Sequence, residues 1–152
     1  MSSSTKLSTA VKALCYLAGS YPEPKSSAQI SHRIGVNASK LRQLLSILAK
    51  DDIVSSTKGT TGGFVLERNP ENLHLQEIYC AVEDRKAFHL DVNRTNGQSA
   101  NETAKFNDYF FNLFADVQIE IEERMRGISL MTVMKKLGVR SNFSKPIESG
   151  KV

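Results

Sequence analysis

A mainly α-helical fold carrying one small β-hairpin is what this 152-residue sequence predicts. Three observations lead there. Apolar residues recur at three- and four-residue spacing in most segments, the period of an amphipathic helix. Gly35 separates two short stretches of this kind. Beyond them lie two β-prone runs joined by a glycine-rich turn, the pattern of a hairpin. Two short helices across a tight turn, followed by a hairpin, make a winged helix-turn-helix, and a long C-terminal helix follows it.

The first helix is read from Leu7, Ala10, Val11, Leu14, Cys15 and Ala18, which fall on one stripe. Gly19 and the Tyr-Pro-Glu-Pro run at residues 21–24 end it, because proline lacks a backbone donor and restricts the residue before it. Ser26 or Ser27 can cap the second helix, which turns Ile30 and Ile34 inward and stops at Gly35, a residue suited to a left-handed turn. Asn37 or Ser39 can cap the third. Its apolar face is Leu41, Leu44, Leu45 and Leu48, which leaves Lys40, Arg42, Gln43 and Ser46 on the opposite side.

Strands are expected at 53–56 and 64–67, and a fourth helix at about 75–82 with Leu75, Ile78, Tyr79 and Val82 turned inward. The polar, Asn-rich stretch that follows reads as a flexible loop, and the long helix as reaching from about 101 to 126. Gly127 ends it. Ser129 can cap a last turn bearing Met131, Val133, Met134 and Leu137, and the chain after Gly138 is expected to fray. The resulting organisation is a winged helix-turn-helix at 1–83, a flexible loop at 84–104, a dimerisation helix and docking turn at 105–138, and a tail at 139–152.

With 40% hydrophobic residues, the chain can bury one sizeable core but not two large ones. No run approaches the roughly 20 apolar residues that span a bilayer. Residues 1–5 are polar and Ser-rich, without the apolar core of a signal peptide, so a cytoplasmic location is expected. Cys15 and Cys80 lie far apart in apolar surroundings and read as two small buried thiols rather than a disulfide. The net charge of +4 is unevenly spread. Residues 1–66 hold eight Lys or Arg against three acids, a net of +5, which leaves −1 for the rest.

That basic excess coincides with the helix-turn-helix. Ser31 is the small residue where its two helices cross, Gly35 makes the turn, and Leu41 and Leu44 fix the second helix on the first. Such an arrangement presents the second helix by its N-terminal half, and the major groove of B-DNA admits one helix and displays a distinct pattern for each base pair. The polar residues there are Asn37, Ser39, Lys40, Arg42 and Gln43. Arg suits guanine, Gln suits adenine, and Ser or Lys suits phosphate. In the wing, Gly59, Gly62 and Gly63 permit close backbone approach, and Lys58, Thr60 and Thr61 can meet phosphates or the minor groove.

Five of the eleven phenylalanines and tyrosines lie between Phe106 and Phe114. A small domain could hardly cover so broad a stripe, whereas the same helix of a second copy could. Phe106, Phe110, Leu113, Phe114, Val117 and Ile121 are the expected interface.

Enzymatic chemistry has no footing: there is no nucleophile with a base, no paired carboxylates in a cleft, and no ligand set at metal spacing. Asp51 and Asp52 fit a turn at a helix end. His32 and His74 have no Cys or His at zinc-like spacing.

Residues 59–68, Gly-Thr-Thr-Gly-Gly-Phe-Val-Leu-Glu-Arg, run into Asn-Pro-Glu-Asn-Leu-His-Leu-Gln-Glu-Ile-Tyr-Cys-Ala-Val-Glu at 69–83. This combination of wing and helix closely resembles the Rrf2 family of regulators. Lys6-Leu-Ser8, the Leu-Arg-Gln-Leu-Leu piece at 41–45 and the long C-terminal helix fit it as well, so the similarity covers about 6–137. The resemblance implies a sequence-specific DNA-binding transcription regulator, a repressor, acting as a homodimer on a palindromic operator. It places Ser39, Arg42, Gln43 and Lys58 at the DNA surface, and Lys6 joins the expected contacts.

Two departures matter. Arg42 stands where several members have glutamate, so a different target sequence is expected. Cluster-binding members carry three cysteines between the fourth helix and the long one, as thiolate ligands for iron. Residues 83–105 contain none, and His89 alone is no substitute, so no iron–sulfur cluster and no other cofactor is expected. Any signal would be a small molecule, a partner protein or a thiol such as Cys15 or Cys80. The rival reading is a protein-interaction adaptor that keeps the scaffold without operator binding; steep salt dependence of DNA binding separates the two.

Overall fold

The computed structural model describes residues 3–83 and 102–144. The expected loop at 84–104 therefore lies outside the described residues, except for 102–104, which are helical. The order is α1 (Ser3–Ser20), α2 (Ser27–Ile34), α3 (Ala38–Lys50), β1 (Val54–Thr57), β2 (Gly63–Leu66), α4 (Leu75–Val82), α5 (Glu102–Arg126) and α6 (Leu130–Lys136).

Helix α1 buries Ala10, Ala13, Leu14, Leu17 and Ala18 against α2, α3, α4, α6 and β2. It runs through Gly19 and stops only before the prolines, where the missing donor does end it. Ser26 caps α2 in a capping box: its hydroxyl accepts from the Gln29 N–H at 3.1 Å, and its own N–H donates to the Gln29 side chain at 2.9 Å. Gly35, at φ 72°, takes the left-handed conformation that closes the helix. Asn37 caps α3, accepting from the N–H groups of Ser39 at 3.0 Å and Lys40 at 3.2 Å. At the far end Asp52 adopts φ 54°, and Ile53 N–H returns to the Leu48 carbonyl at 3.1 Å. The aspartates thus make a turn, which is what the sequence suggests for them.

Strands β1 and β2 pair antiparallel from Val54↔Leu66 to Thr57↔Gly63. A third segment that sequence patterning missed joins them: Lys25 exchanges both backbone hydrogen bonds with Phe64, at 3.0 and 2.8 Å. A single paired residue has no periodicity to betray it.

The C-terminal part is sewn back into the same core. Leu75 N–H donates to the Ile128 carbonyl at 2.9 Å and Leu130 N–H to the Leu73 carbonyl at 2.7 Å, so the link between α5 and α6 pairs with the entry to α4. Leu130 and Met134 are fully buried. Glu77 fastens α4 to the end of the hairpin, accepting from Arg68 at 2.7 Å and from the His74 N–H at 2.9 Å. Burial pushes its carboxyl upward, but the His74 amide and Arg68 together outweigh that and hold it below its ordinary value.

Two expectations need correction. Residues 139–144, read as fraying, lie along the end of α1: the Asn142 N–H donates to the Ala18 carbonyl at 2.9 Å, and the Phe143 ring sits 4.7 Å from that of Tyr21. Residues 145–152 lie outside the described part. Cys15 is buried, as expected, but Cys80 is exposed. Its neighbours Ile78, Tyr79 and Val82 take the inward face of α4, which turns position 80 outward. No helix among the described residues is long and apolar enough to cross a membrane.

Candidate nucleic-acid interface

Helix α3 has two opposed faces. Leu41, Leu44, Leu45 and Leu48 are buried on α1, α2 and α4, so Asn37, Ser39, Lys40, Arg42 and Gln43 are all exposed. The turn beneath is closed twice, by the Gly35 N–H donating to the Ser31 carbonyl at 2.9 Å and by the Ser31 hydroxyl donating to the Val36 carbonyl. Ser31 therefore does more than make room: its hydroxyl ties α2 to the start of α3. Across the same corner Arg42 Nε donates to Ser27 Oγ at 3.3 Å, a contact between residues fifteen apart that restrains the base of the guanidinium.

Cap strength should be measurable. Asn37→Ala removes the acceptor for two N–H groups, and a loss of about 1 kcal/mol in chemical denaturation is expected. A loss below a few tenths would mean that water caps α3 equally well.

Lys58, Thr60 and Thr61 are exposed at the wing tip, at the other edge of the α2 N-terminus. Thr60, Thr61 and Gly62 form one wall of an open groove of about 620 Å³, and Glu23, Ser26 and Gln29 the other. Two of the wing glycines do permit close backbone approach, and the backbone that approaches is the chain's own. A Cβ on Gly62 would lie 2.2 Å from the Thr57 carbonyl oxygen, and one on Gly63 2.5 Å from the carbonyl carbon of Lys25. These two glycines let the chain approach itself, closing the tip and admitting the Lys25 segment. Gly59, at φ 114°, supplies the turn. Lys6 is half-buried in α1, a separate element.

The electrostatics are one-sided. Lys40, Arg42 and Lys58 have no carboxylate partner among the described residues; of the ion pairs there, Lys25–Glu23 lies at the edge of this groove, and Arg68–Glu77, His74–Glu77 and Arg126–Glu122 lie away from it. Side chains that sequence reasoning missed at this edge are Lys25, Ser26 and Gln29. The adjacent glycines at 62 and 63 were the available signal, because they require a neighbouring backbone.

Residues 3–136 match the Rrf2 family, described as iron-dependent transcriptional regulators. The chain belongs to the Rrf2 family. It is a DNA-binding transcription regulator rather than an enzyme. An HTH-type transcriptional regulator (ORF2) of Azotobacter vinelandii is 30% identical over 117 residues, covering 77% of this chain and 68% of that protein. IscR of Sodalis glossinidius is 30% identical over 109 residues, 70% of this chain and 62% of its own length. Among solved structures, T. potens IscR superposes with a TM-score of 0.65 at 25% identity, covering 88% of this chain and 85% of that one. A transcriptional regulator from Lactobacillus plantarum reaches 0.77 at 17% identity, covering 88% and 89%, a likeness of fold. These neighbours agree with the winged-helix architecture.

The donors present in this Rrf2 chain do not fit a thiolate-held iron–sulfur cluster. Its two cysteines lie on different helices, and burial pushes the Cys15 thiol up to about 11, the wrong direction for a thiolate ligand. Cys80 is also raised, by partial burial and then by the charge of Glu122. Among the described residues no three His, Cys, Asp or Glu side chains gather as a metal site.

Proposed function

We propose that this regulator binds a palindromic operator as a homodimer and represses by occupying it, with α3 of each protomer in a major groove and the wing alongside. The observation that carries the reading is the polarity of α3: four leucines hold it down, and its exposed leading edge carries Lys40 and Arg42, which have no carboxylate partner among the described residues. The wing adds Lys58, Thr60 and Thr61, suited to phosphate and minor-groove contacts. The broad apolar face of α5, with Phe106 61% and Tyr109 63% exposed, supports pairing with a second copy. On that geometry the half-sites lie about one helical turn, roughly 34 Å, or a small multiple of it apart. Operator DNA places the working protein in the cytoplasm.

Duplexes selected from a random pool test this directly. Binding to the selected operator should weaken steeply with salt, because phosphate contacts release counterions. Arg42→Ala should cost about 1–3 kcal/mol on the selected sequence and relax the choice of base. Lys58→Ala should weaken all duplexes alike and lower the salt slope by about 1. An Arg42→Ala variant with unchanged sequence preference would remove Arg42 from base recognition.

A further inference from the structure

Behind the helix-turn-helix lies an open groove of about 330 Å³ that the DNA-binding reading does not use. Val11 and Cys15 of α1 and Ile34 of α2 form one side, and Leu137 and Val139, just after α6, form the other. Its size is at the small end of the roughly 300–1,000 Å³ typical of ligand sites. Collapse is resisted, because the segment carrying Val139 is fixed to α1 by the Asn142 hydrogen bonds and the Phe143–Tyr21 contact. Leu137 and Val139 are 66% and 38% exposed along it.

The lining has a single sign of charge. Lys12 and Arg33 border the groove, both are exposed, and neither has a carboxylate partner among the described residues. Cys15 stays a neutral thiol, its titration pushed up to about 11 by burial, so the wall offers no opposing negative charge. A largely apolar groove bordered by two cations is complementary to a small amphipathic acid.

We propose that this groove is an effector site for such an acid, with its apolar body between Ile34 and Val139 and its anionic head between Lys12 and Arg33. The site adjoins the mechanism it would control. Arg33 and Ile34 are the last two residues of α2, next to Gly35 and to the Ser31–Val36 hydrogen bond that sets α3 on α2. A ligand that holds the end of α2 against α1 and the 137–139 segment biases the seating of α3, and so operator affinity. The regulatory part rests on the DNA-binding reading, whereas the binding part does not.

Full-length protein titrated with decanoate, decan-1-ol and decylammonium by calorimetry, below the micelle concentrations, tests the site. Decanoate should bind saturably, one per chain, at least tenfold more tightly than decylammonium. Lys12→Glu combined with Arg33→Glu should weaken decanoate tenfold or more. Val139→Trp, which fills the groove from a partly exposed position, should abolish binding without lowering Tm. Equal affinity for the three probes, or indifference to the charge reversals, overturns the assignment. If only a chain shortened to residue 144 binds decanoate, the occupant is the protein's own C-terminal segment and the proposal fails. In a parallel arm, saturating decanoate should shift operator Kd severalfold in the parent and not in Val139→Trp. Decanoate binding without that shift overturns the regulatory part, whereas decanoate binding with no operator binding at all marks failure of the DNA-binding reading instead.

Discussion

Leu113→Asp is expected to sediment as a monomer and to lose about 10²–10⁴-fold in affinity for an operator with two half-sites, while its helical content stays unchanged. The size of the loss follows from linkage: once one half-site is held, a tethered second contact acts at high effective concentration, and a monomer forfeits that gain. Leu113 suits the test because it is 38% exposed in the protomer, so a charge there leaves the protomer core intact. Helix α5 is about 37 Å long, yet Gln118 is its one buried residue. Phe110, Phe114, Val117 and Ile121 are half-buried, Phe110 stacking on Phe106 and Phe114 at 4.4 and 5.8 Å. The described residues leave this aromatic ladder partly in water, and in the proposed dimer a second α5 would cover it. Sedimentation of Leu113→Asp as an intact dimer would refute the interface.

Gly63→Ala should destabilise the fold by about 1–3 kcal/mol and weaken binding to every duplex, although no contact with DNA is altered. The added Cβ would lie 2.5 Å from the carbonyl carbon of Lys25 and 2.6 Å from its oxygen, both backbone atoms that cannot swing aside. The bridge between Lys25 and Phe64 must open, and with it the anchor that holds the wing beside α2. Denaturation midpoints check the first part and operator titrations the second. Stability within about 0.5 kcal/mol of the parent would show that the wing moves freely enough to absorb the methyl group.

The elements with several turns or a clean alternation were legible because burial repeats along them. Leu41, Leu44, Leu45 and Leu48 defined α3, and the same pattern told which side chains were left for the solvent. Caps were legible too, though only as alternatives: Ser26 rather than Ser27, and Asn37 rather than Ser39, carry the side-chain bonds. What escaped were contacts made once, between distant segments. Lys25 with Phe64, Leu75 with Ile128, Arg42 with Ser27 and Asn142 with Ala18 leave no period in the chain. Cys80 was misjudged for a related reason, since apolar neighbours in sequence are not neighbours in space on a helix.

Gln118 shows the same limit from the other side. A glutamine in an apolar run reads as solvent-facing, yet it is 3% exposed, donating to Glu122 at 2.8 Å and to the Tyr79 hydroxyl at 3.4 Å. Gln76 reaches the same Glu122 at 3.2 Å from α4. The seam between α4 and α5 is polar, and so the period that would have revealed it is absent.

The stitch between Ile128–Leu130 and Leu73–Leu75 makes the two halves of the chain inseparable. A cut anywhere between 83 and 102 severs the backbone without dividing the interior, since Leu130 and Met134 sit among the residues of the first half. The arm that carries the aromatic ladder is thus clamped at its base, so the protomer itself would set the angle and spacing at which copies paired as proposed present their leading helices. In the proposed dimer, a pair assembled through such arms would work as callipers, gauging the distance between half-sites.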